Sequence, residues 1–485
     1  MTTLSIVAIC NDGSSTAARA ATEESFRTQG PGPWKLSFAD LGRTPSERVN
    51  TAVRDGPHGH IAVIEAGDRL EPGALAAVLE LLKDSTAPDV AYTDEQWPGQ
   101  IFPKPRWIPR YLEAYPYLGR LCFVRKALFE AVGGWSEDHA PALEWDFTLR
   151  IAERTTNIAH VPILGVMRAH EPPTDRDFLE AGRRAVAARY KRAEVPVTVE
   201  LTGGAIAEEP EFVRVWRHIP DPPPLVSIVI PTGGGRRNLD GRKVVLVANA
   251  LRSLVERTTY ERWQVVLVPS EGTDAAVVAE CGEILGDRLR VVPVAGPFNF
   301  SRSVNTGVGA AEGTLVLLLN DDTEVIEPRW LERMVSVASE DGVGVVGAKL
   351  LFADNRIQHT GVIFDGEGIP LHVHIFEDDD TGHFGSKVVD LDFLGVTGAC
   401  LLVSKSLYEE VGGFTEALPL NFNDVDFCLK VIAAGHTVVC TPFARLRHYE
   451  SSTREARIHD FELEAMRWWK PRTLADPYVN VRGLV

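Results

Sequence analysis

The second half of this chain repeats the first, and no other feature constrains the fold as strongly. Arg48-Val-Asn-Thr-Ala52 resembles Ser303-Val-Asn-Thr-Gly307. An apolar run follows each, His60 to Ile64 and Leu315 to Leu319, and each run enters a loop closed by Glu-Pro, at Glu71-Pro72 and Glu327-Pro328. Val124-Arg-Lys-Ala-Leu-Phe-Glu-Ala-Val-Gly-Gly-Trp135 then matches Val403-Ser-Lys-Ser-Leu-Tyr-Glu-Glu-Val-Gly-Gly-Phe414. Glu144-Trp-Asp-Phe-Thr-Leu-Arg150 lines up with Asp424-Val-Asp-Phe-Cys-Leu-Lys430, and both copies end on a histidine after a strand-like run, His170 and His448. Blocks recurring in one order imply two copies of one domain. Short β-branched runs alternating with helical patterns predict an α/β domain for each copy, Rossmann-like, with a mostly parallel sheet covered on both faces.

Pro220-Asp221-Pro222-Pro223-Pro224 punctuates the copies. Consecutive prolines cannot donate to a ladder and favour extended backbone, so a linker is expected over 201–224. It separates a first module, 1–200, from a second, 225–485, whose end reads as a helical tail. At 485 residues and 45% hydrophobic composition the chain has apolar material for two cores. Lys and Arg total 50 against 67 Asp and Glu, a net charge of −17 that argues against nucleic-acid partners. The 6 cysteines show no C-x-x-C spacing and read as free thiols of a reducing compartment. No signal-peptide pattern and no membrane-length apolar run occur, so a cytoplasmic protein is expected, with at most peripheral contact at the inner membrane face.

Open α/β sheets place ligands at the carboxyl ends of their strands. There the second copy carries Asn320-Asp321-Asp322-Thr323-Glu324, directly behind an apolar run. Carboxylates in that setting are costly unless they bind something, and a hard cation bridging phosphate oxygens suits them. An Asx turn or helix cap before Pro328 is the competing account. Asn423-Asp424-Val-Asp426 opens an amphipathic helix closed by Gly435. One aspartate can cap that helix, and the other, turned into a cleft, can act as a general base. His448 and the polar helix entrance Pro297–Asn305, suited to phosphate, complete the set.

Together and in this order these motifs resemble family 2 glycosyltransferases of the GT-A fold. The likeness runs through Val226-Ser-Ile-Val-Ile-Pro-Thr232, the Asn305 helix, Leu319-Asn-Asp-Asp-Thr-Glu-Val325, Thr397-Gly-Ala-Cys400, Val411-Gly-Gly-Phe414, Asn423-Asp-Val-Asp426 and His448. Ala348-Lys-Leu-Leu351, Ile357-Gln-His-Thr-Gly361 and Asp476-Pro-Tyr478 extend it over nearly the whole chain. The resemblance is closest to two-module enzymes of O-antigen and surface-polysaccharide biosynthesis, often rhamnosyltransferases. It implies tandem GT-A-like modules and inverting, metal-dependent transfer of a sugar from a nucleotide-sugar to a growing, lipid-linked surface glycan. Asp322, with Asn320 or Asp321, and His448 would hold Mn²⁺ or Mg²⁺ on the diphosphate. Asp424 would be the base, with Asn423 and Asp426 on the acceptor side. Pro231, Thr232, Asp274, Asn305 and Asp321 would contact the donor. This sequence departs from the pattern at Pro269, where family members usually carry an aspartate that contacts the nucleotide base. A nucleotidyltransferase and a non-catalytic glycan-binding scaffold stand as the alternatives.

The first copy loses the metal element. It has Glu65-Ala-Gly67, then Asp68, where the second has Asn320-Asp-Asp322. Glu144, Asp146 and His170 survive opposite Asp424, Asp426 and His448. This reads as a degenerate module that positions acceptor or packs against its neighbour, with metal-free activity as the alternative. Glu377-Asp-Asp-Asp380 reads as a solvated loop, and His372 and His374 as structural side chains, with lining of the acceptor pocket as the alternative. Gly233–Gly241 reads as a surface loop or a donor-site lid. Trp468-Trp469 among basic residues reads as core closure, with a lipid contact as the alternative.

Overall fold

The structure, a computed structural model, describes all residues except 1, 11–14, 58, 85, 202–210, 240, 450–457, 475, 477 and 479–485. The chain divides into two compact units, Met1–Val215 and Trp216–Asp476. The first contains β1 (Leu4–Ile9), β2 (Trp34–Ala39), β3 (His60–Glu65), β4 (Arg69–Leu70), β5 (Val90–Trp97), β6 (Gln100–Phe102), β7 (Phe123–Arg125) and β8 (Ile158–Met167). Among the described residues these form an eight-stranded sheet, β2-β1-β3-β7-β5-β8-β4, with β6 beside β5. β1 is parallel to β2 and β3, and β5 to β8, while β7 runs reversed between β3 and β5.

β9 (Val197–Leu201) pairs with β10 (Val213–Arg217). The unit boundary therefore falls inside a strand rather than in a free linker over 201–224. Val213 and Val215 are buried, which ties β10 into the fold. Among the described residues, Pro220–Pro224 has the irregular backbone expected of it.

The second unit contains β11 (Val226–Thr232), β12 (Arg236–Leu239), β13 (Arg242–Val245), β14 (Trp263–Pro269), β15 (Leu289–Val291) and β16 (Leu315–Leu319). It continues with β17 (Thr323–Val325), β18 (Val343–Leu351), β19 (Ile357–His359), β20 (Val362–Phe364), β21 (Pro370–His372), β22 (Leu391–Phe393), β23 (Cys400–Ser404) and β24 (Thr437–His448). Its main sheet is ordered β15-β14-β11-β16-β23-β18-β24-β17, with β19 beside β18 and β22 beside β24. Setting aside β15 and β22, order and direction match the first unit pair for pair. Every residue of β1 and of β11 is buried, as expected of parallel strands with both faces covered.

A matched clamp locks each copy. Asn305, inside the Phe300–Ala310 helix, donates from Nδ2 to Phe414 O at 2.9 Å and accepts at Oδ1 from Phe414 N at 3.0 Å. Asn50, inside the Pro45–Asp55 helix, makes the same two bonds with Trp135, each 2.9 Å long. A Cβ on Gly413 would lie 2.8 Å from Asn305 Oδ1, and one on Gly134 would lie 2.3 Å from Asn50 Oδ1. Both glycines have positive φ, 63° and 69°, so the turn needs glycine twice over.

Candidate active site

The carboxyl ends of the second sheet bring Asp322 and His448 together through strand register. Thr323, the first residue of β17, pairs with His448, the last of β24. His448 Nε2 lies 3.0 Å from Asp322 Oδ1 and 3.2 Å from Asn320 Nδ2. Its Nδ1 lies 2.7 Å from Gln358 Oε1. An amide oxygen can only accept, so Nδ1 carries a proton and the Nε2 edge faces the acidic strand end. Asp322 is buried, and the buried Asn320 Oδ1 has no hydrogen-bond partner. A carboxylate, an imidazole nitrogen and an orphaned amide oxygen thus converge, and these donors fit a divalent cation. Among the described residues no group of three or more His, Cys, Asp or Glu could hold a metal ion by itself. Phosphate and water would have to supply the remaining ligands.

Asp321 turns toward the first strand instead. Thr232 Oγ1 donates to Asp321 Oδ2 at 2.6 Å and accepts from Gly234 N at 3.0 Å. Pro231 sits buried in β11, and Pro269 pairs with Thr232 across β14. Asp274 caps the Ala275–Leu285 helix, accepting from Ala276 N at 2.9 Å, and its other carboxylate oxygen lies 3.5 Å from Arg236. The glycine-rich segment forms the β12–β13 hairpin, whose Arg237 donates to the carbonyl of Tyr449, next to His448. Gln358 is a site residue to which sequence reasoning gave no role, and Arg237 belongs to the segment read as a surface loop or donor-site lid.

Asp424 occupies the first turn of the Asn423–Ala433 helix. Its Oδ2 accepts from Gly398 N and its Oδ1 from Val425 N, each at 2.8 Å. It lines a cavity of about 330 Å³ with Asn320, His372, Thr397 and Asn423. Since Asn320 also touches His448, this cavity joins Asp424 to the cation-type donor set. Asn423 accepts from Asp424 N at 2.8 Å and so positions the helix start. Asp426 points elsewhere: it accepts from Thr415 at 2.7 Å and from Trp469 Nε1 at 2.9 Å, and pairs with Lys430 at 2.9 Å. The acceptor-side expectation for Asp426 gives way to a structural tie between two helices, and the donor expectation for Asn305 gives way to the clamp described above. Periodicity could not separate these roles, because a clamp and a ligand contact both put a polar residue on a buried helix face.

His359 was overlooked as well. Its Nδ1 lies 2.8 Å from His372 Nδ1, and Thr397 N donates to its Nε2 at 3.3 Å. Burial, with His372 and His448 nearby, holds its pKa well below the usual histidine value. His372 therefore reaches the cavity, while His374 pairs with Glu377 at 3.2 Å. The acid run is no open cation site and is only partly solvated: Asp379 pairs with the buried Lys349 and with Arg445, and Asp380 pairs with Lys387 at 2.8 Å.

The same place in the first unit has the opposite chemistry. Arg120, aligned with Ala399 two residues after the shared glycine's predecessor, pairs with Glu65 and Glu144 and lies 3.5 Å from Asp68. Strand pairing also corrects the histidine match. Arg69 pairs with Met167 as Glu324 pairs with Arg447, so Arg168, not His170, stands where His448 does. Arg168 pairs with Glu95 at 3.2 Å.

Residues 222–468 match the family described as "Glycosyltransferase like family 2". The chain belongs to that family. It is 32% identical to the Sinorhizobium fredii protein "Uncharacterized protein y4gI" over 480 residues, covering 92% of this chain and 51% of the relative. It is 31% identical to "O-antigen biosynthesis protein RfbC" of Myxococcus xanthus, covering 87% of this chain and 33% of the relative. The chain thus spans about half the length of the first of these relatives and a third of the second. Among solved structures, a mannosyltransferase from Pyrobaculum calidifontis in complex with GDP-Man and Mn²⁺ is 15% identical over 52% of this chain and 63% of that one, with a TM-score of 0.35. Within the described residues no helix is long and apolar enough to cross a membrane.

Proposed function

We propose that this family 2 member transfers a sugar, with inversion, from a nucleotide-sugar to a growing surface glycan, and that the second unit does the chemistry. One observation carries the reading: Asp424 and Asn320 line one cavity, and Asn320 leads to the Asp322–His448 pair. Asp322, His448 and Asn320 would hold a divalent cation, which supplies charge stabilisation to the departing nucleoside diphosphate. The Thr232–Asp321 contact orders the end of β11 where the nucleotide would lie. Asp424, fixed by two backbone amides, takes the proton from the acceptor hydroxyl as that oxygen attacks the anomeric carbon from the face opposite the diphosphate. The relation to an O-antigen biosynthesis protein supports a surface-glycan acceptor, with rhamnose among the candidate sugars.

A lipid-linked acceptor at the inner membrane face is part of the same proposal. Trp469 is tied into the fold, but Trp468 is 82% exposed between Arg467 and the Lys470–Arg472 stretch. An aromatic side chain among cations suits an anionic lipid surface.

The deciding experiment is a thermal-shift and calorimetric screen of nucleoside diphosphates and nucleotide-sugars with Mn²⁺ or Mg²⁺, on wild type and Asp322→Ala. Metal-dependent stabilisation by one nucleotide, lost in the variant, is the expected result. Stabilisation that survives Asp322→Ala overturns the assignment of the cation site. Release of pyrophosphate rather than nucleoside diphosphate during turnover would make the protein a nucleotidyltransferase, and absence of any nucleotide binding would favour the scaffold reading.

A further inference from the structure

The first unit has a cavity of about 380 Å³ at the corresponding strand ends, lined by Glu65, Arg120, Tyr115, Trp135 and Glu144 among others. This volume falls in the range of small-ligand pockets. Arg120 is 5% exposed in its side chain and is held by Glu65, Asp68 and Glu144. A cation is therefore already built into the position that a metal would take, and the carboxylates that would bind one are engaged by it.

The lining also decides what else is excluded. Among the described lining residues the four glutamates Glu65, Glu95, Glu137 and Glu144 outnumber the two cations Arg120 and Arg168, and Lys104 behind the wall is already taken up by Glu95 at 3.1 Å. A diphosphate would meet net negative charge there, without a metal to bridge it. An uncharged, hydroxyl-rich ligand meets no such penalty. Its hydroxyls can donate to Glu144 and Glu65, whose side chains are 32% and 24% exposed, and its apolar ring face can rest on Tyr115 and Trp135.

We propose that the first unit is a metal-independent site for one neutral sugar unit of a glycan, with Arg120 as its internal counter-ion. The proposal does not depend on catalysis in the second unit. It is tested on the full chain in EDTA by saturation-transfer NMR with the methyl glycosides of rhamnose, mannose, glucose, galactose and N-acetylglucosamine. Variants are Glu144→Gln, which keeps side-chain size, and Pro173→Trp at the exposed rim, which fills the cavity mouth. Asp424→Asn reports on the second site. At least one glycoside should bind with a millimolar Kd, weaken tenfold or more in both first-unit variants and remain unchanged in Asp424→Asn. The proposal is overturned if none of the five binds, or if binding survives both first-unit variants. Loss of binding in Asp424→Asn overturns it too, because the sugar would then lie in the second site. Nucleotide binding with Mn²⁺ reads Asp322 and is unaffected by any of these results, so failure here and failure of the catalytic reading are distinguishable.

Discussion

The two units share strand order, strand direction and the asparagine clamp, yet their sites carry opposite chemistry. At equivalent positions the second unit has Asn320, Ala399, Asp424 and His448, and the first has Glu65, Arg120, Glu144 and Arg168. Scaffold and chemistry are thus separable in this fold: the clamp and the β register hold the geometry, and a few side chains at the strand ends set what it binds. The exchange of Ala399 for Arg120 matters most. A guanidinium at that position neutralises nearby carboxylates permanently, where an alanine leaves them available to an exchangeable ion.

Asp424→Asn makes the largest change to this comparison, because it removes the base and keeps the shape. Transfer measured as nucleoside diphosphate release should fall about 10³-fold, within the range for loss of a general base. Glu65→Gln in the first unit should alter it less than about threefold. A comparable loss from both substitutions would mean that chemistry is shared between the units. Ala399→Arg comes next. It writes the first unit's counter-ion into the second, and Mn²⁺ affinity measured by paramagnetic resonance should fall about 100-fold, equivalent to about 2.7 kcal/mol. Unchanged affinity would show that Arg120 is not what separates the two sites.

Much of this was legible in the sequence. The repeat and the α/β class follow from motif order, and the resemblance to family 2 glycosyltransferases brings Asp322 together with His448, which lie 3.0 Å apart. Ionic architecture was not legible, because it depends on which side chain lies across a strand pair. Arg120 precedes β7 and meets Glu65 at the end of β3 only through the antiparallel pairing of those strands. His170 was matched to His448 by being the last histidine of its copy, and the register moved the match to Arg168. Asn305 and Asp426 showed that a polar residue was required at each position, but their partners, Phe414 O and Trp469 Nε1, are brought up by remote segments.

The clamp should behave alike in both units, which sharpens the separation of scaffold from chemistry. Asn305→Ala and Asn50→Ala each remove two hydrogen bonds to the backbone of a buried turn, at a cost of about 2 kcal/mol, with Tyr408 remaining as a second partner of Phe414 N at 3.2 Å. Chemical denaturation should show that loss for both. Mn²⁺ affinity should stay unchanged in Asn305→Ala provided the variant is folded, and a specific loss of nucleotide binding there would restore Asn305 as a donor contact.

The smallest effect is expected on acidification, and it again divides the units. His359 is buried and neutral in the folded second unit, with its pKa well below the ordinary value of about 6.5 that it regains on unfolding. Between those two values the unfolded chain binds more protons, so stability falls as pH drops from above 6.5 and levels off below the folded value. Strand pairing places Phe102 at the corresponding position in the first unit: Phe102 pairs with Glu95 as His359 pairs with Leu350. The thermal transition that Mn²⁺ raises should therefore lose acid sensitivity in His359→Phe, while the other transition, where His60 is a buried histidine with a lowered pKa, should keep its own. An unchanged pH profile in His359→Phe would overturn that assignment.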